Sequence, residues 1–290
     1  MKMNSITLLS PAKINLTLEV FRKRADGYHE IRSIVQLISL FDEVKIEIED
    51  GEGIEIESTG LEIPKGRKNL AWKAAEVFLK ESGLNLNVKI SLKKRIPLGA
   101  GLGGGSGNAA AVLVGMNRII KKFSENELIQ IAPKIGADVA LFINCRSAVI
   151  DGIGEKITLI RDFPLFYYVL LNPGFETSTK RIYEFWDEMT KEESLTETSM
   201  EDTVSLFREG QFPLRNDLEK PAMHLYPEIR ALKKRLLGME VEAVSMTGSG
   251  STVFGAFRDE GEAKKIYDYL KDSSTFKVFL AQGISGWHRL

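Results

Sequence analysis

Between Pro97 and Ala111 the chain reads PLGAGLGGGSGNAAA, six glycines in fifteen residues, followed at once by an apolar helical pattern. Glycine admits positive φ and lets the backbone approach a ligand closely, at an entropic cost to the fold. A helix that opens at the same point adds unpaired N–H groups and the positive end of its dipole. The stretch therefore predicts a cradle for phosphate oxygens. Pro97, Leu98, Gly99, Ala100, Gly101 and Leu102 lead in, and Gly103, Gly104, Gly105, Ser106 and Gly107 open the helix. Nucleotide phosphates are the expected occupant, and phosphoryl transfer the expected chemistry.

Other glycine motifs fit less well. A Walker-type loop ends in Gly-Lys-Ser/Thr, whereas Gly105-Ser106-Gly107 stands here. G-x-G-x-x-G can be laid over Gly99, Gly101 and Gly104, but the strand before it alternates and ends in Lys93-Lys94-Arg95. A dinucleotide fold opens on a continuously apolar strand and follows its first helix with a second strand. Here another helix pattern follows. A flexible loop without a ligand is the plain alternative, at a heavy entropic cost for ordering so many glycines. Ser106 could donate to a phosphate, ligate Mg²⁺ or simply cap the helix.

The elements that must position this loop are legible from periodicity. Ile14, Leu16, Leu18 and Val20 alternate with polar residues, as do Val44, Ile46 and Ile48, then Ile54 and Ile56, and later Val88, Ile90 and Leu92. Asp26-Gly27 is a hairpin signal. Asn69 should cap a helix over residues 70–81. Ser124 and Glu127 form a capping box for a further helix. After Gly154 come an apolar strand over 166–171, a helix over 178–189, an acidic stretch from Glu192 to Asp202 expected as an exposed loop, and two helical segments over 217–237. Strands over 241–246 and 253–257 flank TGSGST; a helix over 262–270 and a strand over 276–281 follow. Strands and helices mixed without regular βαβ alternation predict two α+β domains, with a boundary between Gly152 and Phe163.

Composition excludes several classes. The 290 residues are 43% hydrophobic and 27% charged, with a net charge of −1, which gives no basic surface for nucleic acid. Cys145 is the single cysteine, so no internal disulfide can form, and its apolar neighbours predict a small buried residue. The N-terminus lacks a signal-peptide core, and no apolar run approaches the roughly 18–20 residues of a membrane span. A soluble cytoplasmic protein is expected, with no membrane partner. No Cys/His cluster has metal-ligand spacing.

The P-x-G-x-G-L-G-x-G-S form of the loop resembles the second motif of the galactokinase–homoserine kinase–mevalonate kinase–phosphomevalonate kinase (GHMP) superfamily. SPAKINLTLEVFRKRADGYHEI near the N-terminus, IGADVALF at 135–142, NDLE at 216–219 and TGSGST at 247–252 extend the resemblance over nearly the whole chain. It implies an α+β fold of two domains. The first, 1–156, would be like ribosomal protein S5 domain 2 and carry the phosphate loop; the second, 157–290, would be ferredoxin-like and complete the substrate site. It implies ATP as donor, with Mg²⁺ arriving on the nucleotide and no metal ligand assigned to the protein. The ADGYH and GADV stretches point, within that superfamily, to a small-molecule acceptor: a cytidine diphosphate-linked methylerythritol, phosphorylated on its tertiary C2 hydroxyl. A monomer or weak homodimer is expected.

Residue by residue, the resemblance makes Lys13 and Asp138 catalytic, and Asn15 a partner of the substrate diol. It has Tyr28 stack on the cytosine, His29 bond its edge, Tyr183 stand as a second aromatic wall, and Thr179 approach the diphosphate. Without the resemblance Asp138 reads more readily as a helix N-cap or first-turn acid and Tyr28-His29 as a hairpin flank, while Lys13 fits a solvated strand lysine as well. A second serine often follows the loop serine in the superfamily; Gly107 stands there instead. The TGSGS turn reads as a wall of the site or as a tight hairpin. Rival readings are a kinase of mevalonate, phosphomevalonate or homoserine, and a non-catalytic nucleotide- or RNA-binding module.

Overall fold

The computed structural model describes residues 4–190 and 198–289. The chain opens with β1 (Asn4–Asn15), β2 (Thr17–Lys23) and the long β3 (His29–Asp50). Alternation across 14–20 predicts one strand; two are found, and Pro11 lies inside β1, where a register shift between Pro11 and Ala12 absorbs it. The Asp26-Gly27 turn joins β2 to β3, with Gly27 at positive φ.

Next come β4 (Gly53–Thr59), α1 (Leu70–Ser82), β5 (Leu86–Lys93), α2 (Gly104–Ile120), α3 (Glu125–Ile131), α4 (Val139–Asn144), β6 (Ala148–Gly152) and β7 (Lys156–Leu159). The predicted caps are present: the Asn69 side chain accepts from Ala71 N, and Ser124 and Glu127 bond reciprocally. Alanines 71, 74 and 75 of α1 and 109 to 111 of α2 are fully buried with Phe78, Val112, Leu113 and Met116. These two helices share one core with the apolar residues of β3 and β5.

The second half holds β8 (Tyr167–Asn172), α5 (Thr179–Met189), α6 (Met200–Arg208), β9 (Arg215–Asn216), α7 (Glu219–Leu225), α8 (Pro227–Leu237), β10 (Ala243–Met246), β11 (Val253–Phe257), α9 (Glu260–Leu270), β12 (Lys277–Ile284) and β13 (His288–Arg289). Part of the acidic stretch expected as a loop lies outside the described residues. Residues 200–202, however, begin α6, whose N-terminus is capped by Ser199 and favoured by Glu201 and Asp202. No described helix is long and apolar enough to cross a membrane.

One mixed sheet links all of this, in the order β10-β11-β8-β12-β3-β1-β13. The boundary expected between 156 and 157 falls within β7, which pairs back on β6 as a hairpin. β12 bridges the halves, pairing with β8 along most of its length and with β3 through Gly283 and Ile284.

Behind that bridge the Tyr168 hydroxyl donates to Gln36 Oε1, while Gln36 Nε2 donates to Pro164 O at 2.8 Å; Tyr168 and Gln36 are both fully buried. Tyr168→Phe leaves Gln36 Oε1 without this donor, at a cost of about 1–3 kcal/mol. Chemical denaturation should show a lower midpoint with an unchanged slope, whereas an unchanged midpoint would contradict the link.

Candidate active site

The glycine loop is held by its carbonyls. Gly99 O accepts from Thr177 N at 3.3 Å, Ala100 O from Thr252 N at 3.3 Å and Leu102 O from Lys13 N at 2.9 Å. Gly101 O accepts from the Thr247 hydroxyl at 3.1 Å. Four consecutive acceptors are thus turned into the protein, and α2 starts directly beyond, its first-turn N–H groups lacking intrahelical partners as in any helix. Two glycines are obligatory on geometric grounds. At Gly101, φ is +76° and a Cβ would lie 2.1 Å from Thr247 O; at Gly103, the N-cap of α2, φ is +67° and a Cβ would lie 2.8 Å from Phe142 Cζ and 3.0 Å from Lys13 Cγ.

Two cavities meet across this loop. One, of about 550 Å³, is lined by loop residues from Pro97 and Leu98 through Gly104, Gly105 and Ser106, and by an apolar end of Ile63, Pro64, Leu70 and Leu92. The other, of about 660 Å³, is lined by Lys13, Asn15, Tyr28, His29, Asp138, Thr179, Tyr183, Gly248 and Ser249. Gly99, Gly101, Gly103 and Thr179 belong to both. Leu102 and Gly107 line neither: Leu102 is buried in the core, and a Cβ on Gly107 would lie 2.8 Å from Pro11 O and 2.9 Å from Ser10 Oγ. A second serine at 107 would collide with β1.

Lys13 and Asp138 face the second cavity together. Lys13 is buried, not a solvated strand lysine, and its ammonium donates to Asn15 Oδ1. Burial pulls its pKa below the ordinary 10.5, and the charge of Asp138 draws it partly back up. Asp138 sits at the N-cap position of α4, yet its side chain caps nothing, so its carboxylate is directed elsewhere. Asn15 is fixed from three sides: its N–H donates to the Thr247 hydroxyl at 3.0 Å, its Nδ2 to the Ser33 hydroxyl at 2.8 Å, and its Oδ1 receives Lys13. The TGSGS turn is therefore a wall of the site that fastens both the loop and Asn15.

The far end of this cavity is aromatic. Tyr28 is 62% exposed at its edge. His29 is buried, stacked on Tyr183 with centroids 4.9 Å apart and edge-on to Trp186 at 5.5 Å. His29 Nε2 lies 2.6 Å from Asp187 Oδ1, and Lys23 Nζ reaches the other oxygen at 3.1 Å. Burial pushes the Asp187 pKa up, but the bonds from His29 and Lys23 outweigh it and hold the carboxyl below its usual range. Burial, with Asp138 adding, pushes the Tyr183 phenol up to about 12. Asp187 and Trp186 were not read from the sequence, although their spacing of three and four from Tyr183 puts them on the same face of α5. At the rim the Thr179 and Ser249 hydroxyls bond at 2.8 Å.

Other candidates stand aside. Cys145 is buried, and burial pushes its thiol up to about 12. His224 stacks on Phe185. Among the described residues no group of three His, Cys, Asp or Glu could hold a metal.

Two family models match the chain: the GHMP kinases N terminal domain over residues 69–146 and the GHMP kinases C terminal over 192–274. A 4-diphosphocytidyl-2-C-methyl-D-erythritol kinase of Citrifermentans bemidjiense is 39% identical, the match covering 90% of this chain and 93% of that protein. One of Geobacter metallireducens is 37% identical, over 97% and 100% of the two chains. A crystal structure of 4-(cytidine 5'-diphospho)-2C-methyl-D-erythritol kinase superposes with a TM-score of 0.82 at 31% identity, covering 97% of this chain and all of that one. A homoserine kinase from Cytophaga hutchinsonii shares the fold, with a TM-score of 0.70 at 20% identity over 97% and 95% of the two chains. Loop, cavities and relatives agree: the chain belongs to the GHMP kinases, within the family of 4-diphosphocytidyl-2-C-methyl-D-erythritol kinases.

Proposed function

We propose that this kinase transfers the γ-phosphoryl group of ATP to the tertiary C2 hydroxyl of 4-diphosphocytidyl-2-C-methyl-D-erythritol. The observation that carries the reading is the meeting of two cavities at Gly99, Gly101 and Gly103, with Lys13 and Asp138 on the acceptor side. In this reading the loop amides and the start of α2 hold the triphosphate, and the apolar end of the first cavity takes the base. Tyr28, His29 and Tyr183 take the cytosine, Thr179 lies near the diphosphate, and Asn15 orients the diol. The N-terminal unit, extended to Leu159 by the β6–β7 hairpin, supplies the phosphate loop and charged pair. The C-terminal unit supplies the aromatic wall on α5.

The acceptor oxygen attacks the γ-phosphorus in line, the bond to the β,γ-bridging oxygen breaks, ADP leaves, and the hydroxyl proton passes to the Asp138 carboxylate. A loose transition state places little demand on a strong base, so a positioned carboxylate suffices. The Lys13 ammonium offsets charge growing on the transferring oxygens. The donor set suits Mg²⁺ carried on the nucleotide: Ser106 is a hard oxygen at the loop, and Mg²⁺ keeps most of its ligands from phosphate and water. When bound, the ion would neutralise phosphate charge.

Asp138→Asn and Lys13→Met should each lower kcat on the order of 10²-fold or more, with the dissociation constant of an ATP analogue little changed; undiminished kcat in either contradicts the assignment. ADP release should be seen with the cytidine-linked substrate and not with mevalonate or homoserine.

The Lys13 ammonium is fully present below its lowered pKa and lost as pH rises through it. The alkaline limb of kcat/KM should therefore lie below 10.5, a window that excludes Tyr183, at about 12. Lys13→Arg should move that limb beyond the measurable range, and a limb that stays in place would refute the link.

Tyr28→Ala should raise KM for the cytidine substrate by the equivalent of about 1–3 kcal/mol of stacking. Asp187→Ala should act in the same direction by freeing His29. Neither should alter KM for ATP, and equal effects on both substrates would contradict these roles.

A further inference from the structure

Beneath the glycine loop lies a buried polar cluster centred on an acid that lines neither cavity. Asp42, within β3, has no exposed surface. Its Oδ1 accepts from Arg95 N at 2.7 Å and Ile96 N at 2.9 Å. Its Oδ2 accepts from Asn108 Nδ2 at 3.0 Å and pairs with the Lys94 ammonium. Lys94 Nζ also donates to Asn108 Oδ1 at 2.9 Å, and Asn108 Nδ2 reaches the Ser10 hydroxyl of β1 at 3.1 Å.

The geometry of these bonds is selective. Arg95 and Ile96 lead into the loop, while Asn108 lies in the second turn of α2, just beyond it. One carboxylate thus ties the strand side of the loop to the helix side, and through Ser10 to the strand that bears Lys13. Four donors converge on the two carboxyl oxygens, whereas an amide has one acceptor oxygen. A buried ion pair is weak evidence for stability, since desolvation offsets most of its attraction, and its best-supported role is to select one geometry. Lys94 and Asn108 line the nucleotide-side cavity, and Asp42 does not.

We propose that Asp42 is a positioning residue for the nucleotide: it sets the span between the two ends of the glycine loop, and with it the affinity for ATP, without touching ATP. This rests on the reading that the loop holds the triphosphate. A displacement of about 1 Å at such a site is enough to lower catalysis by orders of magnitude.

The test compares Asp42→Asn, Asn108→Ala, their double variant and Ser10→Ala, measuring the affinity of a non-hydrolysable ATP analogue, the affinity of the cytidine-linked substrate, and Tm. Asp42→Asn keeps an acceptor for Arg95 and Ile96 but turns an NH₂ toward Lys94 and Asn108. It should weaken the ATP analogue by about tenfold or more while leaving the cytidine substrate within about twofold. Asn108→Ala leaves the Lys94–Asp42 pair and both amide bonds in place but alters a wall of the nucleotide-side cavity, so Ser10→Ala, which removes the Asn108 acceptor on β1 and lines neither cavity, carries the test should Asp42→Asn fail to fold. Both should weaken the ATP analogue selectively too, and the double variant should lose less than the sum of the singles. Unchanged affinity for the ATP analogue, or equal weakening of both ligands alongside a fall in Tm, overturns the proposal. A native protein that does not bind the ATP analogue at all overturns the reading beneath it, and shows this without any variant.

Discussion

The capture of four consecutive carbonyls, from Gly99 to Leu102, is the constraint on which the site depends. A glycine-rich segment has many conformations and loses much entropy when fixed in one. Here the fixing comes from three distant parts of the chain: the segment after β8, the turn between β10 and β11, and β1. Their donors turn the negative ends of four peptide dipoles away from the space in front of α2. What faces that space is amide hydrogen and a helix N-terminus, the arrangement that favours phosphate. The glycines are needed because these same contacts leave no room for a Cβ at Gly101 or Gly103.

One of those donors couples loop geometry to charge. The Lys13 main chain holds Leu102 O, while its side chain reaches Asn15 in the cavity that also bears Asp138. One residue thus joins the loop's main chain to the charge facing the other cavity. The sheet enforces this arrangement. β3 pairs with β1, β2, β5, β6 and β12, begins at His29 and carries Asp42 farther along. One strand thus reaches from the aromatic end of one cavity to the cluster under the glycine loop.

Local signals in the chain account for much of this. Glycine density, the Asn69 and Ser124 caps and the period of each strand depend on neighbours in sequence, and they correspond to elements that form. The residues that motifs singled out, Lys13, Asn15, Tyr28, His29, Asp138, Thr179 and Tyr183, line one cavity. Asp138 could not be told from a cap by spacing alone, since the difference is the absence of a capping bond. The burial of Lys13 is a tertiary effect that spacing cannot show; even its main-chain partner, Leu102, lies far along the chain. Asp187 and Asp42 escaped notice for the same reason. Each looks like an ordinary charged residue until a partner 158 residues away, or 53 and 54 residues away, arrives. The apolar end of the cavity along the glycine loop was missed because Ile63 and Pro64 lie in a connection without periodicity. α6 was obscured by acidic composition, although acids in a first turn favour a helix.

The most direct test is a ternary structure with a non-hydrolysable ATP analogue and the cytidine-linked substrate. It should place the terminal phosphorus about 3–3.5 Å from the C2 oxygen, its oxygens on the amides of Gly103 to Ser106, and the Asp138 carboxylate within roughly 2.6–3.2 Å of the attacking hydroxyl. A phosphate tail bound away from those amides, or an acceptor hydroxyl pointing away from both Lys13 and Asp138, would contradict the account.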